Sequence, residues 1–231
     1  MRPHGAKVSN PVRSIVLLSG GLDSAANLAL AHESDEPILA LTLRYGQKAS
    51  DQEVRAARQL CHHYDVRHEV VELEWLGALG GSSLTDSGGE IPILKSSELD
   101  DLKVTRNTAK SVWVPNRNGV FVQVASAFAE RFRAKRVVVG FNREEATTFP
   151  DNSADFIARS NHALELSTAT GVKIFSYTVD LDKTEIVKKV QTLKKPFPIE
   201  MIWSCYHGDA NPCGECESCR RFARATKANS R

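Results

Sequence analysis

Two glycines, two hydroxyl groups and a carboxylate fall within one short segment near the start of the chain. Residues 19–24 read Ser-Gly-Gly-Leu-Asp-Ser, directly after the apolar run 14–18 and directly before a helix-forming stretch that begins at Ala25. Glycine lets the backbone approach a ligand closely, and the free N–H groups at the start of a helix attract anions. We therefore predict a phosphate or pyrophosphate site in this turn, with Ser24 and Asp23 available to cap the helix.

This loop differs from the two commonest nucleotide-binding loops. No lysine follows the glycines as in a Walker A motif, and no third glycine stands at dinucleotide spacing. A strand-to-helix connector that binds nothing is the alternative interpretation, because many such turns contain glycine. The density of hydroxyl and carboxylate groups is unusual for a connector and favours a binding role.

A cysteine cluster near the C-terminus has the spacing of metal ligands. Cys205, Cys213, Cys216 and Cys219 lie in a turn-rich segment that also contains glycine and proline. Four thiolates complete a tetrahedral zinc site with no open position, so we predict one structural zinc ion that pins this segment. An iron–sulfur cluster takes the same ligands, and buried free thiols are the remaining alternative. Cys61 lies apart from this set and is predicted to be a core residue.

Short apolar runs alternate with helical patterns along most of the chain. This order, with near-continuous apolar strands, is typical of an α/β fold with a doubly wound parallel sheet covered on both faces. Ligands of such sheets lie outside the carboxyl ends of the strands, which is where residues 19–24 would be. Strands are predicted at 14–18, 37–44, 67–72, 136–140 and 173–177, and helices at 23–33, 48–63, 117–132, 153–168 and 183–193.

Two segments do not follow this pattern. Residues 77–112 are rich in glycine and serine and show little periodicity, which indicates a lid, a binding segment or a disordered excursion. The basic residues of 220–227 are predicted to form a solvated helix face. We expect one domain over residues 10–203, with the four-cysteine segment 204–231 packed on it.

Bulk properties favour small-molecule partners. The 231 residues carry a formal net charge of +2, so nothing indicates a nucleic acid or an anionic membrane as the partner. No apolar run approaches the length of a membrane span, and residues 2–5 do not resemble a secretion signal. We therefore expect a cytoplasmic protein.

The loop at 19–24 resembles the SGGxDS pyrophosphate loop (PP-loop) of the ATP-pyrophosphatases, which cleave ATP between the α and β phosphates. Further motifs follow in a fixed order, and together they resemble the 7-cyano-7-deazaguanine synthase (QueC) family over almost the whole chain. These motifs are Arg44-Tyr45-Gly46-Gln47, Val114-Pro115-Asn116-Arg117-Asn118, Thr148-Phe149-Pro150-Asp151, Asp182-Lys183-Thr184-Glu185-Ile186 and Ser204-Cys205-Tyr206.

The resemblance implies a ligase that converts 7-carboxy-7-deazaguanine and ammonia into 7-cyano-7-deazaguanine (preQ0), a precursor of queuosine and archaeosine. An adenylated acid and an adenylated amide would be the intermediates, with one ATP consumed in each round and Mg²⁺ as the cofactor of ATP. Members of this family usually have Cys-Arg after the Phe-Pro-Asp motif, whereas this chain has Asn152-Ser153. A ligase that joins the adenylated deazaguanine acid to another amine therefore stays an alternative.

Three further alternatives are a tRNA-thiolating PP-loop enzyme, a glutamine-dependent amide synthetase and a catalytically silent nucleotide-binding module. The thiolating enzyme would favour cysteines near the loop and a basic surface, and the synthetase would need a glutaminase domain, which the sequence lacks. The silent module would bind ATP without releasing pyrophosphate. The family resemblance also implies a homo-oligomer, which we expect to be a dimer.

The resemblance also implies roles for individual residues. Lys183 would be a cation at the carboxyl edge of the sheet, against the alternative of an exposed lysine at a helix start. The alternative role of Asn118 is to cap a helix. The alternative role of Tyr45 and Gln47 is to pack within their loop. The implied catalytic residues are Asp23, Ser24 and Lys183; the implied ATP-binding residues are Leu18, Ser19, Gly20, Gly21, Leu22, Asp23, Ser24, Ala25 and Arg117; the implied substrate-binding residues are Tyr45, Gln47, Asn118, Phe149, Pro150 and Asp151.

Overall fold

The computed structural model describes residues 11–229 and is built around a five-stranded sheet. Every strand pairs in parallel with its neighbours, in the spatial order 3-2-1-4-5 by sequence number. The doubly wound parallel sheet predicted from the sequence is confirmed. The strands are β1 (Arg13–Leu17), β2 (Glu36–Arg44), β3 (His68–Glu72), β4 (Arg136–Val138) and β5 (Lys173–Phe175).

Helices connect the strands and cover both faces of the sheet. Besides the five predicted helices and the helix over the basic residues of 220–227, the structure has three helices that were not predicted, at 74–78, 102–111 and 143–146. The helices are α1 (Leu22–Ser34), α2 (Ser50–Tyr64), α3 (Glu74–Ala78), α4 (Leu102–Ser111), α5 (Arg117–Arg131), α6 (Arg143–Ala146), α7 (Ala154–Ser167), α8 (Lys183–Val190) and α9 (Glu217–Lys227).

The buried side chains of β1, β2 and β4 alternate between two apolar clusters. Ile15 belongs to the cluster that contains Ala125 of α5, whereas its neighbour Val16 packs with Leu28 of α1 and Leu60 of α2. Side chains on both faces of the sheet are buried, because successive strand residues point to opposite sides and helices cover each side. The apolar strands are therefore explained by helices on either face.

The strand order reverses between β1 and β4. From β1 the chain winds outward through β2 to β3 and then returns to the other side of β1 as β4. Connections that leave two adjacent strands in opposite directions open a crevice at their carboxyl ends, and ligands of open α/β sheets bind there. The turn 19–24 and the residues that follow β4 meet at this crevice.

Residues 77–112 pack against the body of the protein. Leu84, Ile91 and Leu94 are buried, and α4 fills the C-terminal part of the segment. The helix begins at Asp101, whose carboxylate accepts from the backbone N–H groups of Lys103 and Val104. A disordered excursion is thus not what this segment forms.

The C-terminal segment lies against the turn at 19–24 and against α2. The backbone N–H of Trp203 donates to the carbonyl of Gly20 at 2.9 Å, and Gln52 Nε2 donates to the carbonyl of Asp209 at 2.9 Å. Cys216 forms an isolated antiparallel bridge with Ile93. Residues 204–229 therefore share packing surfaces with the sheet domain.

The prediction of a solvated basic face on α9 is wrong for Arg221. Its side chain is only 7% exposed, and its guanidinium contacts carboxylates of Glu144 and Glu217 and the carbonyl of Leu99. Arg224 also binds Glu144, at 2.6 Å. These ion pairs tie α9 to α6, since Glu144 lies on the latter helix.

No helix in the described part of the chain is both long and apolar enough to cross a membrane. Residues 2–5, which bear on the expectation about secretion, lie outside the described residues.

Candidate active site

The turn between β1 and α1 has a backbone that only glycine fits. Gly20 has a φ of +83°, and a Cβ there would lie 2.8 Å from the Cβ of Ala56 and 2.9 Å from the carbonyl oxygen of Glu53. Because a left-handed φ and a close approach to α2 coincide, any side chain at this position would be strained. The loop is therefore held against the first turns of α2.

The hydroxyl groups of the turn hold its own backbone. Ser24 Oγ donates to the carbonyl of Gly21 at 3.1 Å and accepts from the backbone N–H of Ser19 at 3.2 Å. The N-cap of α1 is Gly21, with no side-chain capping bond. The sequence-based expectation that Ser24 or Asp23 caps the helix is thus wrong, and the first N–H groups of α1 stay available to a ligand.

Gly140 closes the other side of the crevice. A Cβ on Gly140 would lie 2.8 Å from the backbone nitrogen of Ser24 and 2.9 Å from its Cα. The chain leaving β4 can therefore pass beside the start of α1 only without a side chain. This contact fixes the spacing between the two strand ends at the switch point.

A buried lysine joins two carboxylates at the same place. Lys183 Nζ lies 2.5 Å from Asp23 Oδ2 and 3.0 Å from Glu145 Oε1, and its side chain is 9% exposed. Lys183 begins α8, where Asp182 and Glu185 form a reciprocal capping box. The alternative of an exposed lysine does not describe this side chain.

Two carboxylates and one ammonium group leave this cluster with an excess of negative charge. Burial lowers the pKa of Lys183, but Asp23 and Glu145 outweigh burial, so the pKa is raised above its usual value. Burial raises the pKa of Glu145, but Lys183 and Arg221 outweigh burial, so the pKa lies below its usual value. Burial raises the pKa of Asp23 more than Lys183 lowers it. Asp23 Oδ1 is also buried and has no hydrogen-bond partner within residues 11–229.

Arg117 faces the crevice without a carboxylate partner. Its guanidinium makes two long hydrogen bonds, both at 3.4 Å, to the hydroxyl of Tyr45 and to Asn118 Oδ1. Asn118 Nδ2 in turn donates to the carbonyl of Asp151 at 3.4 Å. Among residues 11–229 no acidic side chain lies within ion-pair distance of Arg117, so this cation is free to receive an anionic ligand.

Gln47 is occupied by its own turn. The backbone N–H of Tyr45 donates to Gln47 Oε1 at 2.8 Å, and Gln47 Nε2 donates to the carbonyl of Leu43 at 3.2 Å and to Glu53 Oε2 at 2.8 Å. Its amide therefore holds the chain between β2 and α2. This geometry matches the loop-packing alternative for Gln47.

These groups line one cavity of about 260 Å³. Its wall brings together the PP-loop, the start of α5, the start of α8 and the chain after β4. Most residues implied in nucleotide or substrate binding face it, while Gly20, Ala25, Pro150 and Asp151 lie outside its wall. The implied residues in the wall are Leu18, Ser19, Gly21, Leu22, Asp23, Ser24, Tyr45, Gln47, Arg117, Asn118, Phe149 and Lys183.

An aromatic pair lies beside the cavity: Phe149 is part of the cavity wall, and Trp113, which is not, stacks against Phe149. The rings of Trp113 and Phe149 are parallel within 6°, with centroids 6.4 Å apart, and Trp113 is 36% exposed. Asn152 also lines the cavity, whereas Ser153 caps α7 by accepting from the N–H of Phe156 at 3.1 Å. The two residues that depart from the family pattern thus have different surroundings.

Sequence reasoning missed many residues of the cavity wall, and two of these are carboxylates on helices. Glu145 had a detectable signal, because Asn142 precedes it by three residues and caps α6 by accepting from the N–H of Glu145 at 2.9 Å. Glu53 had none, since a glutamate in the first turn of a helix is ordinarily exposed. Other missed residues in the wall are Gly140, Trp203, Ser204 and Tyr206.

The four clustered cysteines converge on one point. Their sulfur atoms all lie within 4.8 Å of one another, an arrangement that could hold a metal ion. Backbone N–H groups donate to these sulfurs, for example from His207 to Cys205 at 3.4 Å and from Cys216 to Cys213 at 3.3 Å. Cys61 is separate: it is buried beside Leu60, and burial raises its pKa to about 12.

Comparison with known proteins agrees with the ordered motifs. Residues 13–230 match the family model described as queuosine biosynthesis protein QueC. The chain belongs to this family. Family members from three organisms, each called 7-cyano-7-deazaguanine synthase, align along nearly their full length.

The synthase of Pelotomaculum thermopropionicum is 50% identical over 216 residues, which cover 94% of this chain and 97% of that protein. The one from Desulforamulus reducens is 49% identical and covers 93% of each, and that of Methanosarcina mazei is 46% identical and covers 94% of each. Among solved structures, an NMN synthetase from Francisella tularensis aligns with a TM-score of 0.47 and 14% identity, over 96% of this chain and 86% of that one.

Proposed function

We propose that this chain is a C–N bond-forming ligase that converts 7-carboxy-7-deazaguanine and ammonia into 7-cyano-7-deazaguanine, with ATP activating first the acid and then the amide. The observation that carries this proposal is the full-length identity of 42–50% to relatives called 7-cyano-7-deazaguanine synthase. The ligation, thiolation, glutamine-dependent and silent-module alternatives are not favoured by these relatives.

The PP-loop is the proposed pyrophosphate site. The N–H groups at the start of α1 carry no side-chain cap, and Ser19 and Ser24 present hydroxyls beside them. Arg117, which lacks an acidic partner, is proposed to bind an anionic group of the nucleotide or the acid. Fixed donors that face developing charge on phosphate lower the barrier without reorganisation at the moment of reaction.

Asp23 is the proposed magnesium ligand. Its buried Oδ1 is unpartnered, and a cation at that point would satisfy it. Mg²⁺ in nucleotide enzymes is bound by one or two carboxylates together with substrate phosphates, and Glu145 offers the second carboxylate. A bound Mg²⁺ would neutralise charge on the departing pyrophosphate. Lys183 orients both carboxylates and lowers the pKa of each, although burial outweighs this effect at Asp23.

The aromatic pair beside the cavity is the proposed site of the deazaguanine ring. Phe149 and Trp113 present parallel faces on which a planar heterocycle can stack. Asp151 is half-buried next to the cavity residue Asn152 and is proposed to accept from the guanine-like N1–H and exocyclic amine. Asn118 and Tyr45 would position the acid beside Arg117.

Zinc is the proposed ion of the cysteine site. Zn–S bonds of 2.3 Å in a tetrahedron place sulfurs about 3.8 Å apart. The Sγ atoms of Cys205 and Cys213 are 3.6 Å apart, and those of Cys213 and Cys219 are 4.0 Å apart. Thiolates on a cluster bind different irons and lie farther apart than ligands of one ion. The donor set therefore fits zinc, whose role would be to stabilise residues 204–231 on the domain of residues 10–203.

Incubation of the protein with ATP, Mg²⁺, ammonium and 7-carboxy-7-deazaguanine tests the activity. We expect the nitrile mass to appear together with AMP and pyrophosphate. Formation of ADP and orthophosphate, or no product from the acid, would refute the proposal.

Metal analysis and visible absorbance of the same preparation distinguish zinc from an iron–sulfur cluster. A reduced four-thiolate site and small-molecule substrates support the proposal of a cytoplasmic location. We also propose a homodimer, which analytical sedimentation would test.

A further inference from the structure

One carboxylate in the cavity wall has no cationic partner. Asp23 and Glu145 share Lys183, whereas Glu53 has only the amide of Gln47, whose Nε2 lies 2.8 Å from Oε2. In the described part of the chain, no Lys, Arg or His nitrogen lies within ion-pair distance of Glu53. Its negative charge is therefore free to attract a cation that enters the cavity.

Glu53 is placed where the reaction would occur. It lies in the first turns of α2, directly beneath Gly20 of the PP-loop, and its side chain lines the same cavity as Arg117. Glu53 is half-buried rather than fully buried, so part of the residue contacts solvent. Burial raises its pKa more strongly than Gln47 and Arg117 lower it, which makes the carboxylate a better base.

The proposed reaction requires such a base. Ammonia exists mainly as ammonium at neutral pH, and ammonium has no lone pair with which to attack. An ammonium ion brings four protons, while the nitrile nitrogen of the product keeps none. We propose that Glu53 binds the incoming ammonium ion in the cavity and accepts the protons that its nitrogen loses; this assignment rests on the proposed function.

Each step balances with Glu53 as the proton acceptor. Ammonium gives one proton to the carboxylate, and the freed lone pair forms the C–N bond as the bond from carbon to the AMP oxygen breaks. A second proton then leaves the nitrogen to give the amide. In the next round the amide oxygen displaces pyrophosphate from ATP. The two remaining protons leave as AMP departs and the nitrile forms. Glu53 releases each proton to solvent before it takes the next.

Glu53→Gln tests this role, because it removes the charge and keeps the shape. Adenylation needs no ammonia, so exchange of labelled pyrophosphate into ATP in the presence of the acid should stay within about threefold of wild type. Nitrile formation should fall, with kcat/KM for ammonium lower by about 10²-fold or more. Hydroxylamine is neutral at pH 7 and attacks without prior deprotonation. Hydroxamate formation should therefore fall less than about tenfold.

Asp51→Asn is the matched control. Asp51 lies in the same helical turn, its side chain is 85% exposed, and it pairs only with Arg44 on the surface. This change removes an equal charge from the start of α2 and should leave kcat/KM for ammonium unchanged. Equal losses of pyrophosphate exchange and nitrile formation in Glu53→Gln would overturn the proposal, as would an unchanged kcat/KM for ammonium. Absence of exchange in the wild type would instead refute the proposed function.

Discussion

Lys183 Nζ lies 2.5 Å from Asp23 Oδ2, although 160 positions separate the two residues in the chain. The contact joins the first turn of α1 to the first residue of α8 beside the crevice between β1 and β4. Breaking a buried ion pair by removing one partner is costly because the other charge is left uncompensated. Here Glu145 still faces Lys183 when Asp23 is lost, so the lysine keeps one partner.

Asp23→Ala should abolish turnover and leave the cysteine-bound metal in place. The substitution removes the unpartnered carboxylate oxygen that we assign to Mg²⁺, but it does not touch the C-terminal segment. Product mass and metal content of the same preparation measure the two effects. Asp155→Ala, which removes a 71% exposed carboxylate from α7, is the control and should keep full activity. Persistent turnover in Asp23→Ala would show that our placement of Asp23 is wrong.

Gly140→Ala should destabilise the protein and weaken ATP binding. The new methyl group would meet the backbone of Ser24 at 2.8 Å, and backbone cannot move aside as a flexible side chain can. Overpacking of this kind costs about 1–3 kcal/mol. Chemical denaturation and ATP titration measure the two effects. Gly88→Ala, with open space around its Cβ, should change neither, and unaltered ATP binding in Gly140→Ala would contradict the close contact.

Cys216→Ser should lower metal content and solubility together. The sulfur belongs to the four-thiolate set, and the ligand segment has little core of its own to keep it folded. Metal analysis and thermal unfolding provide the readouts. Cys61→Ala removes a buried thiol outside the set and should keep the full metal content. A folded, active and metal-free Cys216→Ser variant would rule out a structural metal.

Trp113→Ala should raise the KM for the deazaguanine acid by about tenfold, since stacking of a base on an aromatic side chain is worth about 1–3 kcal/mol. Trp113→Phe keeps a ring that can stack on the ligand with Phe149 and should recover most of the affinity. Binding of the acid should quench tryptophan emission in the wild type and much less in Trp113→Phe. An equal rise in the KM for ATP would argue against a site for the acid.

The sequence predicted the sheet well because its signals are local. Near-continuous apolar runs define β1 and β2, and the predicted strand 136–140 is shortened only at its end, where Val139 and Gly140 turn into the crevice. Motifs that follow these strands could be assigned to one edge of the sheet by topology alone. The position of the cavity was therefore accessible without coordinates.

Features that depend on tertiary partners were not accessible. The helix α4 buries only Thr105 and Ala109, so its sequence offers few apolar residues from which a buried helix face could be predicted. In the sequence, Arg221 is one of several basic residues that are typical of an exposed helix face. Its burial depends on Glu144 and Glu217, which lie beside it only in the folded chain. Glu53 was missed for the same reason, because a carboxylate on a helix reveals its burial only in the folded chain. The cap residue Asn142 indicates the helix that carries Glu145, but not the burial of its carboxylate.

The hydrogen bond from Trp203 to Gly20 has a consequence for biosynthesis of the protein. The turn at 19–24 is synthesised about 180 residues before Trp203, Ser204 and Tyr206, which supply one wall of the cavity beside it. A nascent chain that stops before these residues lacks the donor for the Gly20 carbonyl. The turn at 19–24 therefore acquires this backbone contact only after residue 203 has been synthesised.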